Sequence, residues 1–193
     1  ALSRVGRYST GMPDTSQLAD LEQTEVGSYF VANYPPFSVW TPDAVATEAQ
    51  AALASPAAPE TPLGLYLHIP FCRKRCHFCY FRVYTDKNAR EVEQYLDLLG
   101  REWELYAGQP ALEGRQFNFV YFGGGTPSFL STRQLETLVK RVTAGRSWET
   151  AEEITFECEP GTITRPKLAA IRGIGVTRLS LGAQSFDDDK LRL

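Results

Sequence analysis

The sequence predicts an α/β fold built around a parallel sheet, and three observations carry that reading. After Leu63, short strand-like runs alternate with segments whose apolar residues recur at helical spacing. Strands separated by helices need crossover connections, which pair the strands in parallel. The segments that carry cysteines, glycines, a carboxylate and an amide fall just past the strand-like runs, where parallel βα folds keep their active sites. The pattern suits either a doubly wound sheet or part of a βα barrel.

Residues 1–62 read as an irregular N-terminal extension that ends in a connector. Tyr34-Pro35-Pro36-Phe37-Ser38-Val39-Trp40-Thr41-Pro42 is unfit for a regular interior element, because its prolines lack backbone donors and fix φ. Asp43 to Leu53 is an alanine-rich helix candidate with Thr41 or Asp43 near its start. Ser55 to Pro62 is a proline-rich connector. Its simplest role is an extension packed on the surface of the domain.

Residues 63–193 form the core domain. Leu65 to Ile69 is the first strand. Val92, Tyr95, Leu96, Leu99, Trp103 and Tyr106 make a helical stripe over Arg90 to Tyr106. Phe117 to Phe122 is an aromatic second strand. Ser131 and Gln134 can form a capping box, and Leu135, Leu138, Val139 and Val142 continue that helix. Ile154 to Cys158 is a third strand, with Thr164 and Pro166 opening a third helix. Val176 to Leu181 is a fourth strand. Asp187 to Leu193 reads as a helix just begun, so the chain is expected to be part of a longer protein.

Composition narrows the function. With 43% hydrophobic and 22% charged residues, the chain fits one soluble globular domain. A net charge of −3 gives no electrostatic case for nucleic acid. No apolar stretch approaches the ~20 residues that span a bilayer. The two histidines, His68 and His77, sit beside no nucleophile motif, so a hydrolase is disfavoured.

Cys72, Cys76 and Cys79 are the most informative residues. Their spacing, C-x3-C-x2-C, supplies three thiolates with no fourth nearby. A closed cubane takes four, so three would leave one iron open to bind something else. Zinc is the competing ligand, with His77, His68 or Cys158 as fourth donor, although structural zinc sites usually use two separated pairs. Four cysteines without a secretory leader do not look like a disulfide framework. Cys158 shares a strand face with Ile154 and Phe156, which makes it a buried inert thiol. Glu157 shares the opposite face with Thr155 and Glu159. Gly123, Gly124 and Gly125 allow positive φ and close approach to a ligand. Arg73, Lys74 and Arg75 are a solvated basic run that would also offset thiolate charge.

Leu65-Tyr66-Leu67-His68-Ile69-Pro70-Phe71-Cys72 followed by Cys76-His77-Phe78-Cys79 resembles the cluster loop of radical S-adenosylmethionine (radical SAM) enzymes. Gly123-Gly124-Gly125-Thr126-Pro127, Glu157-Cys158-Glu159-Pro160-Gly161 and Leu179-Ser180-Leu181-Gly182-Ala183-Gln184-Ser185-Phe186 follow in the same order. The likeness covers about residues 63 to 193. It is strongest to the oxygen-independent coproporphyrinogen III oxidase family and its haem-chaperone, haem-degrading and methyltransferase relatives. It selects the partial parallel βα barrel, comprising about the first four strands of a radical SAM core.

The resemblance implies a [4Fe-4S] cluster on Cys72, Cys76 and Cys79. It implies SAM held by Tyr66, Phe78, Gly124, Gly125, Thr126, Glu157 and Gln184. It further implies reductive cleavage of SAM to a 5′-deoxyadenosyl radical, a porphyrinogen, haem or other small-molecule substrate, and a one-electron donor such as flavodoxin or ferredoxin. An oxygen-labile cofactor and free cysteines fit a reducing cytoplasm. By the same resemblance, the N-terminal aromatics would cap the active site. Two positions depart from the oxidase pattern: Phe81 replaces a further cysteine, and Gln184-Ser185-Phe186 replaces Gln-Asp-Phe. Both weaken porphyrinogen decarboxylation, and the second form is seen in the haem-chaperone and methyltransferase relatives. The long N-terminal segment points back toward the oxidase. A non-catalytic haem carrier of the same fold is the alternative.

Overall fold

A computed structural model describes residues 40–58, 60–79 and 81–192. The chain divides into two compact units, Ala1–Ala49 and Gln50–Leu193. Most of the extension expected over residues 1–62, through residue 39, lies outside the described residues. The first described helix, α1 (Pro42–Ala54), begins where expected. Pro42 suits a first helical turn, where a missing N–H costs nothing. The Thr41 hydroxyl and carbonyl accept the amides of Ala44 and Val45. No residue of α1 is fully buried and only Leu53 packs partly against the core, so alanine-rich propensity accounts for most of it.

The second unit contains β1 (Gly64–Ile69), α2 (Ala89–Ala107), β2 (Phe119–Gly124), α3 (Thr132–Val142), β3 (Glu153–Cys158), α4 (Arg165–Gly173), β4 (Arg178–Leu181) and α5 (Asp188–Leu191). The four strands are all parallel and lie in the order β1-β2-β3-β4. That order decides between the two architectures the sequence left open. A doubly wound sheet reverses direction part-way and so carries helices on both faces. Here every step moves one strand in the same sense, and right-handed crossovers then put all the helices on one face, as in a βα barrel. Burial shows the consequence. Leu67, Ile69, Val120, Phe122, Ile154, Phe156 and Cys158 are buried beneath the helices, while Tyr66 and Phe119 on the other face are exposed.

Local sequence explains the helix boundaries. Asn88 caps α2 by accepting from the amides of Arg90 and Glu91, and Glu91 returns a bond to the Asn88 amide. Ser131 and Gln134 form the expected capping box of α3. Thr164 accepts from the Lys167 amide at the start of α4, with Pro166 in the first turn.

Three expectations shift. Tyr106 leaves the predicted stripe and is 42% exposed, because Ala111, Leu112 and Phe117 fill the core at that end of the helix. The second strand starts at Phe119 instead of Phe117 and runs on into Gly123 and Gly124. Phe117 is buried against Trp103 before the strand begins, with ring centroids 5.5 Å apart. Asn118 then enters the sheet by exchanging hydrogen bonds with Leu63. The fourth strand starts at Arg178, although Val176 ahead of it is buried.

Phe122 and Phe156, neighbours in register, meet at 5.1 Å and are fully buried. Phe156→Ala should therefore cost about 3–5 kcal/mol of unfolding free energy. Urea titration will test this, and a loss below about 1 kcal/mol would mean that the sheet does not pack as described.

Candidate functional site at the strand ends

Parallel strands bring all their C-terminal ends to one edge, and four loops gather there. The first leaves β1 through Pro70 and Phe71. Phe71 is buried and meets Tyr95 edge-on at 5.2 Å, so the residue before Cys72 is anchored in the core. Phe71 also pairs with Tyr84 as an isolated parallel bridge. The Tyr84 amide donates to the Pro70 carbonyl at 2.8 Å, and the Cys72 amide donates to the Tyr84 carbonyl at 3.0 Å. The cysteine loop is thus closed at its base. Within it, the Cys79 amide donates to the Cys76 carbonyl, and the Arg75 guanidinium donates to the Cys79 carbonyl at 2.9 Å. Arg73 reaches across to the Gly161 carbonyl in the loop after β3, at 3.2 Å.

The second loop interlocks with the first. His68 and Ile69 pair in register with Gly123 and Gly124. Beyond the strands, the Gly125 amide donates to the Ile69 carbonyl at 2.9 Å and the Thr126 amide to the Phe71 carbonyl at 2.8 Å. The Thr126 hydroxyl then donates to Cys72 Sγ at 3.3 Å.

The three glycines turn out to have separate reasons. Of the three, only Gly124 takes positive φ, at 118°. A Cβ on Gly125 would lie 2.9 Å from both Cys72 Sγ and the Phe71 carbonyl oxygen. On Gly123 it would lie 2.7 Å from the Tyr121 ring. Gly123 and Gly125 are therefore required by close approach of the protein to itself, where the sequence reading invoked positive φ and close approach to a ligand for the whole triplet.

Cys72 and Cys79 are half-buried, Cys76 is exposed, and all are free thiols. Burial pushes the Cys72 thiol up; the Thr126 hydrogen bond pulls it down, and Cys79, Cys76 and Glu159 push it up again. The Cys72 sulfur therefore senses the charge of the other two. Among the described residues, no three His, Cys, Asp or Glu side chains converge on a single metal ion. A cubane asks for something different, since each thiolate ligates its own iron and the three need not meet at one point. Three free thiols on one short closed loop, open to solvent at Cys76, are the donor set that such a cluster takes.

Glu157 lies on the bare face of β3, beside this loop pair. One carboxylate oxygen accepts the Tyr121 hydroxyl at 2.7 Å, and the other accepts the Gly124 amide at 3.2 Å. Glu157 acceptance, then burial, push the Tyr121 hydroxyl from the ordinary 10.0 up to about 12. Tyr66 stacks on Tyr121 at 5.9 Å and shares a hydrogen bond with His68 Nδ1 at 3.0 Å. Burial, then the Glu157 charge, raises the Tyr66 phenol as well. Cys158 is buried in the core, pointing away from this group, and burial raises its thiol.

One bonded group thus unites Cys72, Gly124, Gly125, Thr126 and Glu157, with Tyr66 joined through Tyr121. Gln184 and Phe78 enter it through no hydrogen bond among the described residues. Gln184 lies just past β4 at φ 60°, the one non-glycine with positive φ among the described residues. Its amide donates to the Gly182 carbonyl at 3.3 Å. Phe78 is 68% exposed, so core packing does not account for it. Tyr121 went unnoticed in the sequence, and Tyr95 was read only as part of the α2 stripe, although its hydroxyl donates to the His68 carbonyl at 2.8 Å. Alternation from Gly123 back to Tyr121 was the signal for the first.

Known proteins fit this geometry. Residues 66–193, more than half of the chain, match the Radical SAM superfamily. Oxygen-independent coproporphyrinogen III oxidase of Escherichia coli is 37% identical over 135 residues, covering 70% of this chain and 29% of its own length. The heme chaperone HemW of Haemophilus influenzae is 33% identical over 133 residues, covering 68% of this chain and 35% of its own. The solved structure of the E. coli coproporphyrinogen III oxidase HemN, a radical SAM enzyme, shares 32% identity at a TM-score of 0.72. That match covers 91% of this chain and 38% of HemN. The chain spans about a third of the length of these relatives.

Gly125→Ala should force Cys72 or Phe71 to move and cost about 1–3 kcal/mol, with loss of iron uptake. Gly161→Ala, whose Cβ would find its nearest atom at 3.5 Å, should stay within about 0.5 kcal/mol. Urea titration and iron content after anaerobic reconstitution distinguish the pair. A pH dependence follows from Tyr121. Its folded value lies above the unfolded one, so the stability it adds is complete below about pH 10 and is lost as pH climbs through about 12. Tyr121→Phe should flatten the fall in stability between about pH 10 and about pH 12, and an unchanged slope would contradict the bond to Glu157.

Proposed function

We propose that this chain, which belongs to the radical SAM superfamily, binds a [4Fe-4S] cluster through Cys72, Cys76 and Cys79 and holds SAM beside it. The carrying observation is the junction at β1 and β2. Thr126 donates to Cys72, while Gly124, one residue from the Cys72-packed Gly125, donates to Glu157. A thiolate and a carboxylate are thereby fixed on either side of one glycine turn. Bound there and reduced, the cluster would supply the electron that cleaves SAM to methionine and a 5′-deoxyadenosyl radical, the species that takes hydrogen from substrate.

The chain's own residues supply the cradle. Gly124 and Gly125 bring backbone close to the cofactor with no side chain in the way. Glu157 offers carboxylate lone pairs to the ammonium or hydroxyl donors of SAM, and Thr126 fixes the sulfur of Cys72. Tyr66 and Phe78 present aromatic surface to the adenine and sulfonium, and Gln184 an amide to the sugar or methionine portion. The exposed run Arg73-Lys74-Arg75 faces solvent beside Cys76, a fitting approach for an acidic one-electron donor such as flavodoxin or ferredoxin. A reducing cytoplasm suits the free thiols.

Similarity to coproporphyrinogen III oxidase and to HemW favours a porphyrinogen or haem-related substrate. The reading as a coproporphyrinogen III oxidase-like oxidoreductase competes with a haem carrier of the same fold. Phe81 and Gln184-Ser185-Phe186 favour that carrier or a radical methyltransferase. No helix among the described residues is long and apolar enough to cross a membrane.

Anaerobic reconstitution should give a brown protein with about four irons per chain. Alanine at Cys72, Cys76 or Cys79 should abolish that uptake, and Cys158→Ala should retain it. The full-length protein, reduced and supplied with SAM, should release 5′-deoxyadenosine. Stoichiometric zinc in a colourless protein, or cluster loss in Cys158→Ala with the fold intact, would overturn the cluster reading. A full cluster that binds haem but releases no deoxyadenosine would establish the carrier instead.

A further inference from the structure

The bare face of the sheet carries a short hydrogen bond that no proposed cofactor contact explains, from Tyr121 on β2 to Glu157 on β3. Tyr121 stands two residues before Gly123, so its side chain shares a face with Gly123 and, across the register, with Tyr66. Packing restrains its ring from two directions. It stacks on Tyr66 at an interplanar angle of 28°, and it occupies the space above Gly123 that a Cβ would need. The hydroxyl is thereby aimed at one Glu157 oxygen while Gly124 donates to the other. A glutamate at a strand end otherwise has several rotamers to lose when it binds a ligand.

We propose that Tyr121 is a positioning residue for SAM, holding the Glu157 carboxylate so that its remaining lone pairs meet the donors of SAM already aligned. This rests on the reading of Glu157 as a SAM ligand. The role needs a phenol that stays protonated, and Tyr121 is pushed up to about 12. A donor so held also spares SAM the work of orienting its acceptor, which is where preorganised sites gain affinity.

The test is a double-mutant cycle on anaerobically reconstituted protein, with SAM affinity read by calorimetry. Tyr121→Phe keeps the ring, the stack and the packing on Gly123, and removes only the hydroxyl. It should weaken SAM about tenfold with iron content unchanged, and it should have no further effect once Glu157 is alanine. A merely structural role would lower iron content or the unfolding midpoint alike in both backgrounds, and that result overturns the proposal. So does a SAM affinity within about twofold of the parent in Tyr121→Phe while Glu157→Ala weakens binding, which leaves the site reading standing. An unaltered affinity in Glu157→Ala removes the site reading and the proposal together.

Discussion

The exchange between the ends of β1 and β2 is the constraint on which the rest of the site depends. Two amides beyond the strand ladder, those of Gly125 and Thr126, donate back to the carbonyls of Ile69 and Phe71. They extend parallel pairing past the point where the strands would diverge. Because Phe71 is buried among Tyr84, Tyr95 and Phe129, that extension is fixed to the core and not to the loop it organises. Cys72 follows immediately, and its sulfur comes so near Gly125 that no Cβ fits between them. Thiol and glycine turn are one unit, since moving either breaks the pairing of both strands.

Winding in a single direction gives this unit its surroundings. With the helices confined to one face, the other is free to carry side chains that a doubly covered sheet would exclude. Tyr66, Tyr121, Glu157 and Arg178 lie there, on three neighbouring strands and the edge. Thr155 is fully buried even on this face, under the Glu153–Arg178 ion pair and beside Tyr121. The lower half of the face is therefore closed by its own side chains. The polar groups at the strand ends are left as the accessible ones.

Much of this was legible in the sequence because it follows short-range rules. The helical stripe of α2, the capping box of α3 and the Thr164–Pro166 start of α4 depend on residues three or four apart. Motif order along the chain likewise became convergence in space once the strands were parallel. What the sequence concealed depends on register and depth. The triple glycine read as a stretch of positive φ that approaches a ligand closely, yet Gly123 and Gly125 are already crowded by the protein's own Tyr121 and Cys72. Phe117 looked like a strand residue because burial and strand pairing give the same apolar signal. Tyr106 fitted the stripe, but nothing local says that Phe117 and Leu112 have already filled the core beneath it. Tyr121 was hidden for the opposite reason, its partner Glu157 being 36 residues away.

The cysteine loop is anchored unevenly, and that bears on how a cluster would bind. Cys72 is held by its own amide, by Thr126 at its sulfur and by Phe71 in the core. Cys76 and Cys79 are held by bonds within their own loop: the turn bond between them, Arg75 on the Cys79 carbonyl, and a weak contact from Cys79 Sγ to the Phe81 carbonyl at 4.0 Å. Ligand binding to a site that is half ordered spends part of its free energy on ordering the rest. The charge arrangement works in the same direction. Burial, and after it the charges of Cys79, Cys76 and Glu159, raise the Cys72 thiol and disfavour a thiolate there on its own. A cationic iron core bound there would offset those charges, and Arg73, tied to Gly161, keeps positive charge against the loop from outside. On the proposed reading, the scaffold fixes one ligand firmly and would leave the other two to be gathered by the metal. The loop's geometry would then be completed by its ligand, whereas the Glu157 side of the site is complete without one.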